Sequence, residues 1–340
     1  MSILVYLIGK LPPPMGGVTV HTQRLGAWLS MIENVEVRHI STKFSFIKFA
    51  FEMLGSKSRA TVVHCQISSE YGLIIVGLIV LLSRRRAKFV YSIHSEYWIA
   101  DRISKRFYVS FLIRYFLRKL SFLIADNINI KRAASEFCDH VHVLSPFLPP
   151  VGALVKCELS SYLGLKSFDS PVLVFNAYKL VYRSDGKDVY GLDVMLAAFE
   201  KIDFPVTLVL LIPELNLGDK DIIDAFIQNM RAGVNKERIH IVVRPDLEGW
   251  QVIAKSDVFI RPTITDGDAL SVRESLYYGV PTVVSDCTVR PLGVITFKTG
   301  DADDLAEKIK IAIRRGKENS TIDTTRNPAR NFFLLYSNLF

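Results

Sequence analysis

The stretch Phe259–Asp286, FIRPTITDGDALSVRESLYYGVPTVVSD, decides the fold. It begins on an apolar run and passes through a polar loop holding Asp266, Gly267 and Asp268. It then enters Leu270–Tyr278, where the pattern predicts a helix. Gly279-Val280-Pro281 ends that helix, and the apolar run Thr282–Ser285 follows. Strand, loop, helix and strand in this order form the repeating unit of a parallel α/β sheet. Asp266 sits just ahead of the predicted helix and Glu274 lies one turn inside it. The backbone N–H groups of Asp268, Ala269, Leu270 and Ser271 form a helix start, a natural site for an anion. A phosphate held there would have a carboxylate on either side to accept protons from hydroxyl groups.

Working outward, the same alternation recurs twice. The first half opens with the apolar run Ile3–Ile8, a Pro-rich turn, Gly16-Gly17 and a helical pattern over Val20–Met31. Further strands are expected at Thr61–Cys65, Lys88–Ile93, Phe122–Ala125 and Val141–Leu144. Pro146, Pro149 and Pro150 interrupt the pattern and place a linker near residues 148–168. The second half restarts with strands expected at Val172–Asn176, Thr207–Ile212, Ile239–Val243, Val258–Ile260 and Thr282–Ser285. Helices are expected at Leu192–Lys201, Asp221–Met230, near Trp250–Ala254 and at Asp303–Arg314. The expectation is therefore an α/β chain of two Rossmann-like, doubly wound domains, residues 1–155 and 156–322. A C-terminal helix within 323–340 is expected to cross back to the first domain.

At 340 residues the chain is too long for one ordinary core. An apolar share of 49% with 22% charged residues excludes a disordered chain. Cys65, Cys138, Cys157 and Cys287 show no Cys-x-x-Cys spacing, so they read as reduced thiols of a cytoplasmic protein. Ile3–Ile8 reads as a first buried strand, not as a signal peptide. Residues 1–155 hold 19 Lys+Arg against 9 Asp+Glu, a net of +10, whereas the remainder holds 23 against 25, a net of −2. The basic half calls for an anionic partner surface. Tyr71–Ser83 is apolar throughout but, at 13 residues, too short to span a bilayer, and is expected to be a buried helix. Over Arg102–Ala125, Lys105, Arg106, Arg114, Arg118 and Lys119 interleave with aromatic and aliphatic residues. That mixture suits a patch at a membrane interface, and equally a core-packed helix whose cations face water.

The Asp266–Asp286 segment resembles the donor-site motif of glycosyltransferase family 4, the retaining enzymes of the GT-B fold. The match rests on two acids with seven residues between them, the Gly after the first, and the Gly-x-Pro before a strand ending in Ser-Asp. Asp266 stands where the family has its first glutamate. The resemblance implies two domains facing a cleft and a nucleotide-sugar donor held by the second. Asp266 would bind the donor sugar, Glu274 the ribose, and Gly267 to Ser271 the diphosphate. Gly16-Gly17 resembles the family's N-terminal loop over the donor phosphate. His94, at the end of an expected strand, corresponds to a family histidine near the donor sugar. His64 and His21 are further candidates. No metal spacing links His39, His140, His142 or His240.

Lys179 falls where the family has an arginine on the diphosphate. The family's Lys-Gly pair reads Tyr190-Gly191 here, so Arg183 or Lys187 is left to supply the second cation. Arg244 falls at a strand end that holds the nucleobase in the family. Arg261 and the Arg290–Gly293 turn are candidates for orienting the loop or closing over phosphate. Asp266, His94 and Lys179 are thus the expected catalytic residues, with no metal and no other cofactor. The phrases PPPMGGVTVH, NAYKLV and RPTITDGDALSVRES look like bacterial polysaccharide-assembly members (O-antigen or capsule). That implies a polyprenyl-diphosphate-linked saccharide acceptor and peripheral attachment inside the plasma membrane. The alternative is an inactive nucleotide-sugar-binding protein of the same shape. Nucleic-acid binding through the basic half would leave the donor motif without a role.

Overall fold

The computed structural model describes residues 2–12, 16–55, 60–67, 69–83, 87–94, 107–152, 154, 156–183, 185–230, 234–266, 269–318 and 327–340. The chain divides into two compact units, Met1–Val151 with Asp323–Phe340, and Gly152–Ile322. The first contains β1 (Ile3–Ile8), α1 (Gly17–Ser30), β2 (Val35–Ile40), α2 (Lys43–Gly55), β3 (Ala60–Cys65) and α3 (Glu70–Leu82). It continues with β4 (Ala87–Ile93), α4 (Phe107–Arg118), β5 (Phe122–Ala125), α5 (Ile128–Ala134) and β6 (Val141–Val143). The second contains α6 (Leu159–Leu163), β7 (Val172–Asn176), α7 (Leu192–Glu200), β8 (Thr207–Leu211), α8 (Leu217–Asn229) and β9 (Ile239–Val242). Then come α9 (Gly249–Lys255), β10 (Val258–Arg261), α10 (Leu270–Tyr277), β11 (Thr282–Ser285), β12 (Ile295–Phe297) and α11 (Ala302–Arg315). The last helix, α12 (Arg330–Ser337), belongs to the first unit.

Each unit is built on one all-parallel six-stranded sheet, in the orders β2-β1-β3-β4-β5-β6 and β12-β11-β10-β7-β8-β9. Central strands of such sheets are buried on both faces, which is why they read as continuous apolar runs. In β1, Leu4, Tyr6 and Ile8 enter a core shared with α2, α3, α4 and α5, while Ile3, Val5 and Leu7 enter one shared with α1 and α12. In β7, Leu173 and Phe175 meet α7, α8 and α11, and Val172 and Val174 meet α6, α9 and α10. The strand order reverses between β1 and β3 in the first sheet and between β7 and β10 in the second. Ligands of open α/β sheets bind beyond the carboxyl ends of strands at such switch points.

Some elements differ from the sequence reading: β12 was not expected, and α6 falls within the expected linker. Val35–Ile40 (VEVRHI) forms an edge strand although no strand was expected there. One edge is unpaired, so charged residues can alternate with apolar ones. Helix α3 is buried along one side only. Leu73 and Val76 are sealed in the core, whereas Tyr71, Ile75, Leu78, Leu81 and Leu82 are about half exposed or more. The expectation of a buried helix is corrected to that extent, because α3 lies in the outer helical layer with only its inner side on the sheet. No helix among the described residues is long and apolar enough to cross a membrane.

The tail is fixed by polar as well as apolar contacts. Phe332 and Tyr336 are buried in the α1 face of the first sheet, and Asn327 donates to the Trp28 carbonyl at 2.9 Å. His64, fully buried at the end of β3, is hydrogen-bonded through Nδ1 to Tyr336 Oη and through Nε2 to Ser92 Oγ, each at 2.7 Å. Burial, reinforced by His21 and His94, pushes its pKa well down, so the ring is neutral. Tyr336→Phe leaves His64 Nδ1 without its partner and is expected to cost about 1–3 kcal/mol. Urea denaturation followed by circular dichroism reads this. A change of only a few tenths would mean that the tail does not hold the first unit through this bond.

Candidate functional site

Strands β7 and β10 lie side by side, with Val258 opposite Leu173 and Ile260 opposite Phe175. Their carboxyl ends therefore emerge together at the second sheet's switch point. β7 ends at Asn176, and beyond it come Ala177, Tyr178 and Lys179, whose side chain is exposed. Beyond β10 come Pro262 to Asp266, and α10 begins at Leu270. Ala269 is its N-cap and offers no side-chain cap, and the first turn carries no acid. This start lies at the positive end of the helix dipole, where a helix receives an anion. Glu274 is buried on α10, whose Val272 also packs in the core.

The Tyr190-Gly191 pair is built into this loop. Gly191 has φ +71°, and a Cβ there would run into the Pro262 carbonyl oxygen. Glycine is what lets the start of α7 approach the β10 loop so closely. Ile264 N donates to Val189 O at 3.0 Å, and the Arg261 guanidinium lies 5.5 Å from the Tyr190 ring centroid.

The centre of the loop is a carboxylate between two guanidiniums. Arg261 donates to Asp266 through Nε (2.7 Å) and Nη2 (2.9 Å), and Arg290 donates through Nη1 (2.8 Å). Thr263 Oγ1 adds a bond at 3.2 Å. Arg290 also donates to the Ser285 carbonyl at 2.8 Å and to Ser285 Oγ at 3.0 Å, which ties the loop to the end of β11. The Asp266 and Arg290 side chains are 7% and 4% exposed, so the group is sealed and carries a net +1. Burial works against the charged carboxyl, but Arg261 and then Arg290 outweigh it and hold its pKa below the ordinary value. Asp266, expected to bind the donor sugar, has its carboxylate held by Arg261, Thr263 and Arg290.

No family model matches the sequence, and no curated protein does. Solved structures do. HepE from Anabaena, in complex with UDP and glucose, is 13% identical with a TM-score of 0.60, over 99% of this chain and 95% of that one. Sucrose-phosphate synthase from Thermosynechococcus elongatus is 15% identical with a TM-score of 0.63, over 99% of each chain. The lipopolysaccharide outer core galactosyltransferase WaaB, in its apo form, is 13% identical with a TM-score of 0.58, over 99% of this chain and 98% of that one. The chain has the GT-B fold.

The first unit presents its own set of groups at its strand ends. Gly16 caps α1, with its N–H on Thr19 Oγ1 at 3.0 Å, and a Cβ on Gly17 would meet open space. This 14-residue helix holds no acid in its first turn. His94 follows β4, and its Nδ1–H donates to Asp126, at the end of neighbouring β5, at 2.9 Å. Its Nε2 is buried and, among the described residues, has no hydrogen-bond partner. His21 packs 5.3 Å from His94, ring to ring. Burial, then the neighbouring His94, lowers the His21 pKa to about 3, while its Nδ1–H donates to the Pro146 carbonyl at 2.6 Å. His64 is withdrawn into the core, as described above.

Other expected residues stand apart. Arg244 follows β9, two strands from β7, and is paired with Asp246 at 2.6 Å. Arg183 and Lys187 belong to a small exposed turn closed by a Tyr182–Asp188 bridge. Arg114, Arg118 and Lys119 are exposed on or just after α4. Gly267, Asp268, Lys105 and Arg106 lie outside the described residues. Asp126 was missed by the sequence reading, although it ends the run FLIAD at the same edge as His94. Arg290, a candidate for closing over phosphate, joins the ends of β10 and β11.

Removing Asp266 strands two buried guanidiniums. Asp266→Ala is expected to cost about 3–5 kcal/mol at neutral pH, the range for breaking one side of a buried pair. Because folding lowers this carboxyl's pKa, the contribution is whole above the ordinary value of 3.8 and lost as pH falls through the folded value. The stability gap between wild type and variant should therefore narrow only below about pH 4. A gap independent of pH down to acid unfolding would contradict the charged pairing.

Proposed function

We propose that the chain is a glycosyltransferase that moves a sugar from a nucleotide-sugar donor to a saccharide carried on a polyprenyl diphosphate. The observation that carries the reading is the sealed Arg261–Asp266–Arg290 group of net +1, set at the β7/β10 switch point directly before the uncapped start of α10. Such a field stabilises the charge that grows on a leaving nucleoside diphosphate as the glycosidic bond breaks. Lys179, exposed in the segment that follows β7, meets the phosphates as a mobile point charge, with Arg183 or Lys187 available from the turn that follows. Glu274 is assigned to the ribose.

Further support comes from the likeness to HepE with UDP and glucose and to WaaB, a lipopolysaccharide galactosyltransferase. In the first unit, His94 is oriented by Asp126 and offers Nε2 to a sugar hydroxyl. The family resemblance of the donor motif supports retention of anomeric configuration, in which the departing phosphate itself takes the acceptor proton. Cations and the helix terminus then do the work of a metal, so transfer is expected to survive chelator. The reaction belongs to surface-polysaccharide assembly at the cytoplasmic face of the plasma membrane, where the protein is peripheral. A nucleotide-sugar-binding protein without turnover is the second reading, favoured by the capture of Asp266 between Arg261 and Arg290.

Thermal unfolding with UDP, GDP, ADP and CMP tests the donor site. One nucleoside diphosphate should stabilise the folded protein, by about 2.7 kcal/mol at a hundredfold excess over Kd. Lys179→Ala, which removes an exposed side chain, should keep the unliganded stability and weaken that effect about tenfold in Kd. Flat curves with every nucleotide would refute the reading. Stabilisation without transfer or donor hydrolysis would favour the second one.

A further inference from the structure

Helices α2, α3 and α4 pack side by side on one face of the first sheet, with α3 in the middle. Gly77 of α3 makes the approach to α4 possible, because a Cβ there would strike the Phe116 ring. The inner sides fill the core. The outer sides are apolar as well. On α2, Phe44, Ile47, Phe51 and Leu54 are exposed at helical spacing, Phe44 by 80% and Phe51 by 75%. On α3, Tyr71, Ile75, Leu78 and Leu81 form the next stripe, and on α4 Phe111, Leu112 and Tyr115 form the third, Phe111 by 68%. Three adjoining stripes make a continuous apolar surface of a kind that water-facing proteins rarely expose. A helix apolar all round, as α3 is over Tyr71–Leu82, needs an apolar neighbour on each side.

The charges on this face select the neighbour. Among the described side chains of the three helices and Lys119, the exposed ions are Lys43, Lys48, Arg114, Arg118 and Lys119, all positive. The carboxylate of Glu52 is taken up by Arg38 at 2.7 Å and by Tyr6. A second copy of the chain would set these cations against one another. An anionic bilayer would accept the apolar stripes into its interface while the basic stems reach outward to the headgroups. At 13 residues, α3 is about 20 Å long against a hydrocarbon core of about 30 Å, so it lies in the interface and does not cross it.

We infer that the α2–α3–α4 face of the first unit is a monolayer-inserting surface for an anionic membrane. This deepens the lipid-borne acceptor of the proposed function by naming the surface that meets the lipid. It extends well beyond the basic α4 patch that the sequence suggested, to two helices that carry most of the apolar contact.

Flotation with vesicles of phosphatidylcholine, with and without phosphatidylglycerol, tests it on the full chain. Wild type should float with the anionic vesicles at least about tenfold more than with the neutral ones, and less as salt is raised. The double variant Leu78→Glu with Leu81→Glu, both at exposed positions, should lose binding about tenfold or more while its unfolding temperature is unchanged. Arg114→Glu with Arg118→Glu should lose the preference for anionic lipid. Equal flotation of wild type and the apolar variant would overturn the inference. So would a wild-type dimer that ignores vesicles and falls apart in that variant, which would assign the face to a second copy. Nucleotide stabilisation, measured on the same samples, fails only if the donor-site reading fails and leaves the vesicle result to decide the membrane surface.

Discussion

A carboxylate sealed from water is tolerated only where cations and donors meet it fully, and Asp266 is met by two guanidiniums and a hydroxyl. Arg261 is the last residue of β10, and Arg290 stands just beyond β11. These two strands are paired, Phe259 with Thr282 and Arg261 with Val284, so a stiff ladder sets where the guanidiniums stand. The loop between them takes its shape from that spacing. Asp266 cannot leave its partners without uncovering a charge, so the segment Pro262 to Asp266 is held at the end of β10. The residue that the motif marks most clearly is thus held by partners from the ends of two neighbouring strands.

The same construction recurs in the first unit on a smaller scale. Asp126 follows β5, the neighbour of β4, and fixes the ring of His94 through its Nδ1–H. In both sheets a carboxylate beyond one strand end holds a side chain from beyond the end of the neighbouring strand. Parallel sheets make this cheap, because all carboxyl ends collect at one edge and neighbouring strands hold them a few ångströms apart.

What the sequence revealed follows from burial. Phe122–Ala125, Val172–Asn176 and Thr282–Ser285 were readable to the residue because a strand covered on both faces must be apolar throughout. Val35–Ile40 was not, because an edge strand dilutes its pattern with Glu36 and Arg38. The spacing of Asp266 and Glu274 announced a loop and a helix start, yet it could not announce Arg290, 24 residues further on, as the partner of Asp266. Nor could it announce Asp126, 32 residues from His94. Pairings of that range are fixed by sheet register, which no local pattern records. The outer face of α3 was misread for a related reason. An all-apolar run states that water is unwelcome, but not whether protein or something else excludes it.

The central claim is that a nucleoside diphosphate sits at the β7/β10 switch point, on the start of α10. Amide hydrogen exchange with and without the stabilising nucleotide tests it most directly. The account predicts slowed exchange in the first turn of α10, in the loop after β10 and in the segment that follows β7, with β9 and α8 unchanged. Slowed exchange confined to the first unit, or spread evenly over the second with none at α10, would contradict it.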